Sequence, residues 1–216
     1  MISLLLPRLE GRHVRLEPLQ PSHAAGLAEA SAGDPSLYRW SPVPQGEAEA
    51  ARYIATAVAQ REAGTAAPFA VVRVAGGAVI GSTRLWDLAW WPWPPGHPRH
   101  GTGPPDTGEM GHTWLARSAI GTAVNTEMKL LMLGHAFEAW GMQSVCLHTD
   151  VRNERSRHAM ERIGARFEGV LRAHRLATNG GPRDSARYSV TAAEWPGMKR
   201  GLQDRLATRG QLAARP

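Results

Sequence analysis

Residues 109–168 read EMGHTWLARSAIGTAVNTEMKLLMLGHAFEAWGMQSVCLHTDVRNERSRHAMERIGARFE. A strand is expected over Thr107 to Ala116, and then come the small residues Gly121, Thr122 and Ala123. Met128, Leu131, Met132, Leu133, Ala136 and Phe137 recur at helical spacing and predict a helix from Asn125 to Trp140. Ser144 to Thr149 reads as a second strand, and Glu154 to Ile163 as a second helix closed by Gly164. A strand that passes through small residues into a helix presents unpaired N–H groups at the positive end of the helix dipole. That arrangement suits a phosphate or pyrophosphate. It equally suits a plain strand-to-helix turn, and the local motif alone does not separate the two. No Gly-Lys-Ser/Thr follows, so it is no Walker loop.

Outward from this stretch, Arg8 to Pro18 reads as an opening strand, and Ser22 is placed to cap a short helix over 23–30. A second helix is expected over Glu47 to Ala63. Strands at Pro68 to Ala75 and Val79 to Leu88 flank the turn signal Gly76-Gly77. On the other side, strands at 166–176 and 184–191 flank Asn179-Gly180-Gly181-Pro182. Between 86 and 107 four tryptophans stand among six prolines, and the segment reads as a long connection because each proline removes a ladder donor. The order predicts an α+β layered fold with a mixed, mostly antiparallel sheet. A single domain is expected over 1–196, with a basic tail at 197–216 that holds at most a short helix and little core material.

The chain has 216 residues, 43% of them hydrophobic and 20% charged, which fits a globular domain and excludes wholesale disorder. A single cysteine, Cys146, excludes an internal disulfide framework and cysteine-rich zinc sites. The opening Met-Ile-Ser-Leu-Leu-Leu-Pro is too short for a secretory core, and no later stretch approaches the ~20 apolar residues of a membrane span. The chain therefore reads as soluble and cytoplasmic, with no membrane partner. A net charge of +6 rests almost wholly on arginines scattered along the chain. It suits an anionic ligand such as a phosphorylated cofactor. Without a continuous basic footprint or a recognisable module it does not predict a nucleic-acid partner.

Taken jointly, Glu-Met-Gly-His-Thr-Trp-Leu at 109–115, Gly121-Thr-Ala-Val-Asn-Thr-Glu127, Asn153-Glu-Arg-Ser156 and Arg162-Ile-Gly164-Ala resemble the GNAT N-acetyltransferases. The likeness is closest to the branch containing the ribosomal-protein N-terminal acetyltransferases, and it runs from about Leu9 to Trp195. It implies a seven-stranded sheet with helices on both faces, whose central strands splay apart to admit a cofactor. It also implies acetyl-CoA as cosubstrate, a primary amine as acceptor, either a protein N-terminus or a small amine, and direct attack in a ternary complex. By the same resemblance, the main chain of Thr113, Trp114, Leu115 and Ala116 pairs with the pantetheine amides. Arg117 and the backbone donors of Gly121, Thr122, Ala123, Val124, Asn125 and Thr126 hold the pyrophosphate. Gly121 and Ala123 match the family's small positions, whereas Ser118 stands where a Gln or Arg is usual. Trp114 is expected to pack in the core or against the cofactor.

The chemistry needs a neutral amine, a route for its proton, and protonation of the departing thiolate. Glu109 is the candidate base, working through water, with an ordinary sheet ion pair as the alternative reading. By strand alternation it shares a face with Thr113 while His112 faces away, although a bulge would reverse that; His112 is the second choice. Ser156 is the candidate acid. Asn153 joins the cofactor site and is also placed to cap the helix at 154–163. No metal is expected, since His97 and His100 lie in a proline-rich loop without further ligands. Cys146 reads as a packing residue, and His135 and His158 as surface residues. A catalytically inactive binding module that grips a partner through the Trp/Pro segment is the alternative function. The same segment suggests a homodimer contact through Trp90, Trp91 and Trp93.

Overall fold

The computed structural model describes residues 6–213 apart from 102, with side chains described as far as residue 208; the opening residues 1–5 read above lie outside the described residues. The element order is β1 (Leu9–Glu10), β2 (Val14–Pro18), α1 (Ala24–Ser31), α2 (Gly46–Glu62), β3 (Ala66–Arg73), β4 (Val79–Ala89) and β5 (Thr107–Leu115). Then follow α3 (Val124–Gly134), β6 (Ser144–Asp150), α4 (Glu154–Ile163), β7 (Arg166–Leu176), β8 (Pro182–Thr191) and α5 (Trp195–Ala213). One eight-stranded sheet runs β1-β2-β3-β4-β5-β6-β8-β7. Every neighbouring pair is antiparallel except β5 with β6. The expected α+β architecture stands, and the extra strand comes from Gly11 to His13, which divide the predicted opening strand in two. Ser22 caps nothing: Gln20 and His23 close a 3₁₀ turn at Pro21–His23 ahead of α1.

Two layers of helices fix the faces of the sheet. Tyr53 and Gln60 of α2 reach Ser82 and Arg84 of β4, so α2 covers that face over the first strands. Lys129 of α3 reaches Met110, which alternates to the opposite face. Met110, Val145, Leu147, Tyr188 and Val190 there join Met128, Met132, Met160, Ile163, Trp195, Met198 and Leu202 in one buried core. The C-terminal segment is thus no short polar tail: it is a 19-residue helix whose Trp195, Met198 and Leu202 are 4%, 9% and 1% exposed. Its apolar positions are sparse among polar ones, which is why the sequence gives a weak signal. His135 also departs from expectation and is 7% exposed, because the chain widens into a π-helical stretch at His135–Ala139 that sets it inward beside Trp140.

Glu127, in the first turn of α3, accepts hydrogen bonds from the backbone N–H groups of Arg12, His13 and Val14 at 2.8, 2.6 and 2.8 Å. One buried carboxylate thereby fixes the β1–β2 turn against the helix that follows Gly121–Ala123. Gly11 sits so close that a Cβ there would lie 2.6 Å from that carboxyl group.

Candidate active site

The strands β5 and β6 pair only through Thr107↔Ser144, Gly108↔Val145 and Glu109↔Cys146, yet β5 continues to Leu115 and β6 to Asp150. Beyond Glu109 a wedge opens between them. The Ala116 N–H donates to Ile80 O of the β4 side at 2.8 Å. By alternation the main-chain groups of Thr113 and Leu115 then face the wedge. A hydroxyl already reaches one of them, since Tyr38 Oη donates to Leu115 O at 3.2 Å. Trp114 is 5% exposed and packs edge-on against Tyr38 at 5.9 Å, in the core as expected.

A bulge interrupts β5 where Ser82↔Trp114 gives way to Arg84↔Gly111, and His112 there takes φ +49°. It reverses the simple alternation. His112 packs edge-on to Trp86 at 4.7 Å, on the side of Glu109, while Thr113 turns to Thr83, with hydroxyl oxygens 2.8 Å apart. Burial, and after it Arg84, pushes the His112 imidazole down to about 4.

The turn ahead of α3 contains a 3₁₀ turn at Arg117–Ala119 and Gly121 at φ +78°, a conformation glycine adopts without steric cost. Thr122 Oγ1 donates to Ala119 O at 2.7 Å and accepts from the Val124 N–H at 3.3 Å. A cleft of about 590 Å³ opens beside Gly121, Thr122, Asn125 and Thr126, and Arg162 of α4 and Arg205 of α5 line its other wall. Ser118, the departure from the family pattern, accepts from Arg73 Nη2 through its hydroxyl (3.3 Å) and its carbonyl (3.4 Å). A guanidinium from β3 therefore stands beside the loop, though Ser118 itself carries none.

Glu109 is 4% exposed and lies at the base of the wedge. Its Oε2 is 2.8 Å from His148 Nδ1 and accepts from Arg175 Nη2 at 2.8 Å. Burial pushes the carboxyl up, but His148 and Arg175 outweigh it and hold the group below its ordinary range. Arg175 comes from the far edge of the sheet. A bulge between Leu171 and Arg175 bends β7 back over the face, and the guanidinium lies 4.1 Å above the ring of Trp86. His174 follows the same bend and lies 4.8 Å from His148. Cys146, opposite Glu109, keeps its proton, its thiol pushed up to about 12 by burial first and then by Glu109. Glu109, Cys146 and His148 bring three ligand-type atoms within 4.8 Å of one another. The guanidinium on the same carboxylate oxygen opposes a cation there.

Asn153 caps α4, accepting the Ser156 N–H at 3.2 Å while its amide donates to Thr149 Oγ1 at 3.1 Å. The cap ties the open end of β6 to the helix and fixes half-buried Ser156 in its first turn. Over the wedge, residues 35–41 form a roof held by Tyr38, by Thr178 Oγ1 donating to Arg39 O at 2.7 Å, and by Arg152 over Trp40 at 5.0 Å. The Trp/Pro connection is narrower than expected, since Trp86 belongs to β4. Asp106, 1% exposed, organises the remainder: it accepts from the Trp91 N–H and Trp93 Nε1 and pairs with Arg99. His97 stacks on Trp93 at 4.0 Å, and Trp90 and Trp91 remain 38% and 44% exposed.

Sequence reasoning placed Glu109, Asn153 and Ser156 around the wedge and missed His148, His174, Arg175, Arg84 and Trp86. His148 carried a signal, because it alternates in step with Cys146 and so with Glu109. The others reach the site through a bulge and a bend that alternation does not report.

The family model described as an acetyltransferase (GNAT) domain matches residues 13–166. YdaF of Bacillus subtilis (strain 168), named as a ribosomal N-acetyltransferase, is 35% identical over 91 residues, which are 42% of this chain and 49% of YdaF. The chain thus aligns with about half the length of that curated relative. A GCN5-related N-acetyltransferase from Brucella melitensis superposes with a TM-score of 0.78 at 28% identity, over 95% of this chain and 87% of that one. Mycobacterium smegmatis RimJ in complex with CoA-disulfide superposes with a TM-score of 0.72 over 91% and 90%, and at 22% identity it speaks for the fold. The chain belongs to the GNAT acetyltransferases.

Proposed function

Starting from membership of the GNAT acetyltransferases, we propose that this protein moves the acetyl group of acetyl-CoA to a primary amine by direct attack in a ternary complex. The acceptor is a protein N-terminus or a small amine. The parting of β5 and β6, with Glu109 and His148 at its base, carries the reading. Acetyl-CoA supplies the activated acyl group. The main chain of Thr113 and Leu115 faces the wedge where a pantetheine arm needs amide partners, and Trp114 and Ala116 hold that stretch on β4. The loop from Gly121 to Thr126, Arg117 and Arg73 beside it, and Arg162 and Arg205 lining the cleft suit a pyrophosphate and a further phosphate.

On the acceptor side, Glu109 holds His148 Nδ1 so that Nε2 is directed away from it, the relation of an orienting carboxylate to a general base. His148 takes the amine proton, directly or through water, and Glu109 stabilises the imidazolium. Asn153 holds the α4 N-terminus at the open end of β6, and Ser156 gives a proton to the departing thiolate. The named relative YdaF supports a protein N-terminus as acceptor.

The test is thermal and chemical together. Acetyl-CoA should raise the melting temperature, and thiol should be released when peptide or small amines are added. Stabilisation without release across a broad amine panel would favour the inactive binding module instead. No helix among the described residues is long and apolar enough to cross a membrane, and the proposal places the enzyme in the cytoplasm. It also places a homodimer contact at exposed Trp90 and Trp91, beside Trp93. Trp90→Ser with Trp91→Ser should then sediment as a monomer, and a wild type that is monomeric at high concentration would remove the contact.

A further inference from the structure

Arg84 is 2% exposed. Its Nη1 donates to Gln60 Oε1 at 2.8 Å, its guanidinium lies 4.9 Å over the ring of Tyr53, and its Nε has no partner. Among the described residues no carboxylate pairs with it. Arginine stays charged in proteins, and a buried charge is ordinarily matched by an opposite one because leaving it alone is costly. Two residues on, along the same face of β4, Trp86 Nε1 is buried without an acceptor, as is Arg175 Nε, and the ring nitrogens His148 Nε2 and His174 Nδ1 are buried without a hydrogen-bond partner. His148 is the deepest of these, its side chain 3% exposed.

These groups belong to one half-face. Trp86 stands opposite Glu109, Arg84 opposite Gly111, Arg175 lies over Trp86, and His174 lies against His148. Arg84 Nε, Trp86 Nε1 and Arg175 Nε can only donate. Glu109 already divides Oε2 between Arg175 and His148, and Asp87 lies 3.6 Å from the same Arg175 nitrogen, so both nearby carboxylates are turned to Arg175 and neither to Arg84. His112, held neutral beside Arg84, adds no second positive charge and supplies no anion. The acceptor face is therefore rich in donors, short of acceptors, and holds a guanidinium without its anion.

We infer that the acceptor amine carries a carboxylate a few bonds from its amino group, and that Arg84 receives that carboxylate. The inference rests on the acetyl-transfer reading and narrows it. A polyamine would meet Arg84 and Arg175 and be repelled. The carboxylate comes either from a free amino acid or from an acidic side chain at the start of a peptide, and both present the same group to Arg84.

Two measurements separate this inference from the broader reading. In calorimetry on the CoA-saturated protein, N-acetylaspartate should bind at least tenfold more tightly than its uncharged relative N-acetylasparagine amide. Arg84→Met should abolish that preference while melting no lower than wild type, since the methionine keeps the volume and removes the buried charge. Equal binding of the two probes by the wild type, or a preference that survives in folded Arg84→Met, would overturn the inference. In turnover, aspartate and an Asp-initiated peptide are each compared with their Asn counterparts and with spermidine, and the better acidic acceptor identifies the source. Selective binding with no turnover of any amine fells the acetyl-transfer reading and leaves the carboxylate pocket standing; turnover indifferent to the carboxylate does the reverse.

Discussion

Glu109, on the last rung on which β5 and β6 pair, holds its Oε2 2.8 Å from Nδ1 of His148, two residues beyond that rung on β6. The sheet brings acid and imidazole together at the point where it stops being a sheet, so in the proposed reaction one break in pairing supplies both the wedge for the cofactor and the proton acceptor at its base. His148→Gln should lower turnover by about 10²–10⁴-fold with little change in acetyl-CoA affinity. Glu109→Gln should fall less and recover in part as pH rises, because more of the acceptor amine is then already neutral. Wild-type pH–rate profiles in both variants would break this assignment.

The same cluster sets acid stability. Glu109 has a folded value below the ordinary 4.5, so its contribution is present above 4.5 and is lost as pH falls through the folded value. His112, depressed from 6.5 to about 4, acts in the same direction, since the unfolded chain takes up the proton first as pH falls from 6.5 to 4. It costs at most about 3 kcal/mol. Melting temperatures should therefore drop between pH 6.5 and 4, and His112→Gln should flatten that drop. An unchanged slope in the variant would exclude His112 as its source.

The order of elements along the chain, the mixed, mostly antiparallel sheet and the α4 cap were legible because they depend on local periodicity, glycine turns and capping chemistry. Asn153, for instance, does in the structure what an asparagine ahead of a helix is expected to do. What escaped depends on departures from periodicity. The bulge at His112 exchanges the faces of His112 and Thr113, and the bend in β7 carries Arg175 across the sheet to Glu109. Neither displacement leaves a mark in the spacing of apolar residues. The helix α5 was underestimated for a different reason, since Trp195, Met198 and Leu202 are too few to outweigh its polar majority.

Lys129 offers a stability test remote from catalysis. Its Nζ is buried, meets Met110 Sδ at 3.2 Å with no carboxylate paired to it among the described residues, and is pushed down by burial to about 8 from 10.5. Below pH 8 both states are protonated and the full penalty of about 3 kcal/mol applies; stability should rise as pH climbs from 8 towards 10.5. Lys129→Met should raise the melting temperature at neutral pH and remove that rise. A destabilised variant would mean that the ammonium has a favourable role.

At the loop proposed to hold the pyrophosphate, Gly121 takes φ +78° with open space around the position of a Cβ. Gly121→Val should weaken CoA binding by an order of magnitude or more in a protein that still folds, because a β-branched residue rarely adopts that conformation and would crowd the phosphates. Unchanged affinity by calorimetry would take the pyrophosphate away from this loop.

The most direct measurement is amine-dependent release of CoA thiol, followed together with the mass of the acetylated amine in the same reaction. Transfer within a ternary complex predicts one acetylated amine for each thiol, with release negligible when the amine is omitted and strongly reduced in His148→Gln. Thiol release at the same rate with and without amines, or none from a protein that binds acetyl-CoA across acidic, neutral and basic acceptors, would contradict it.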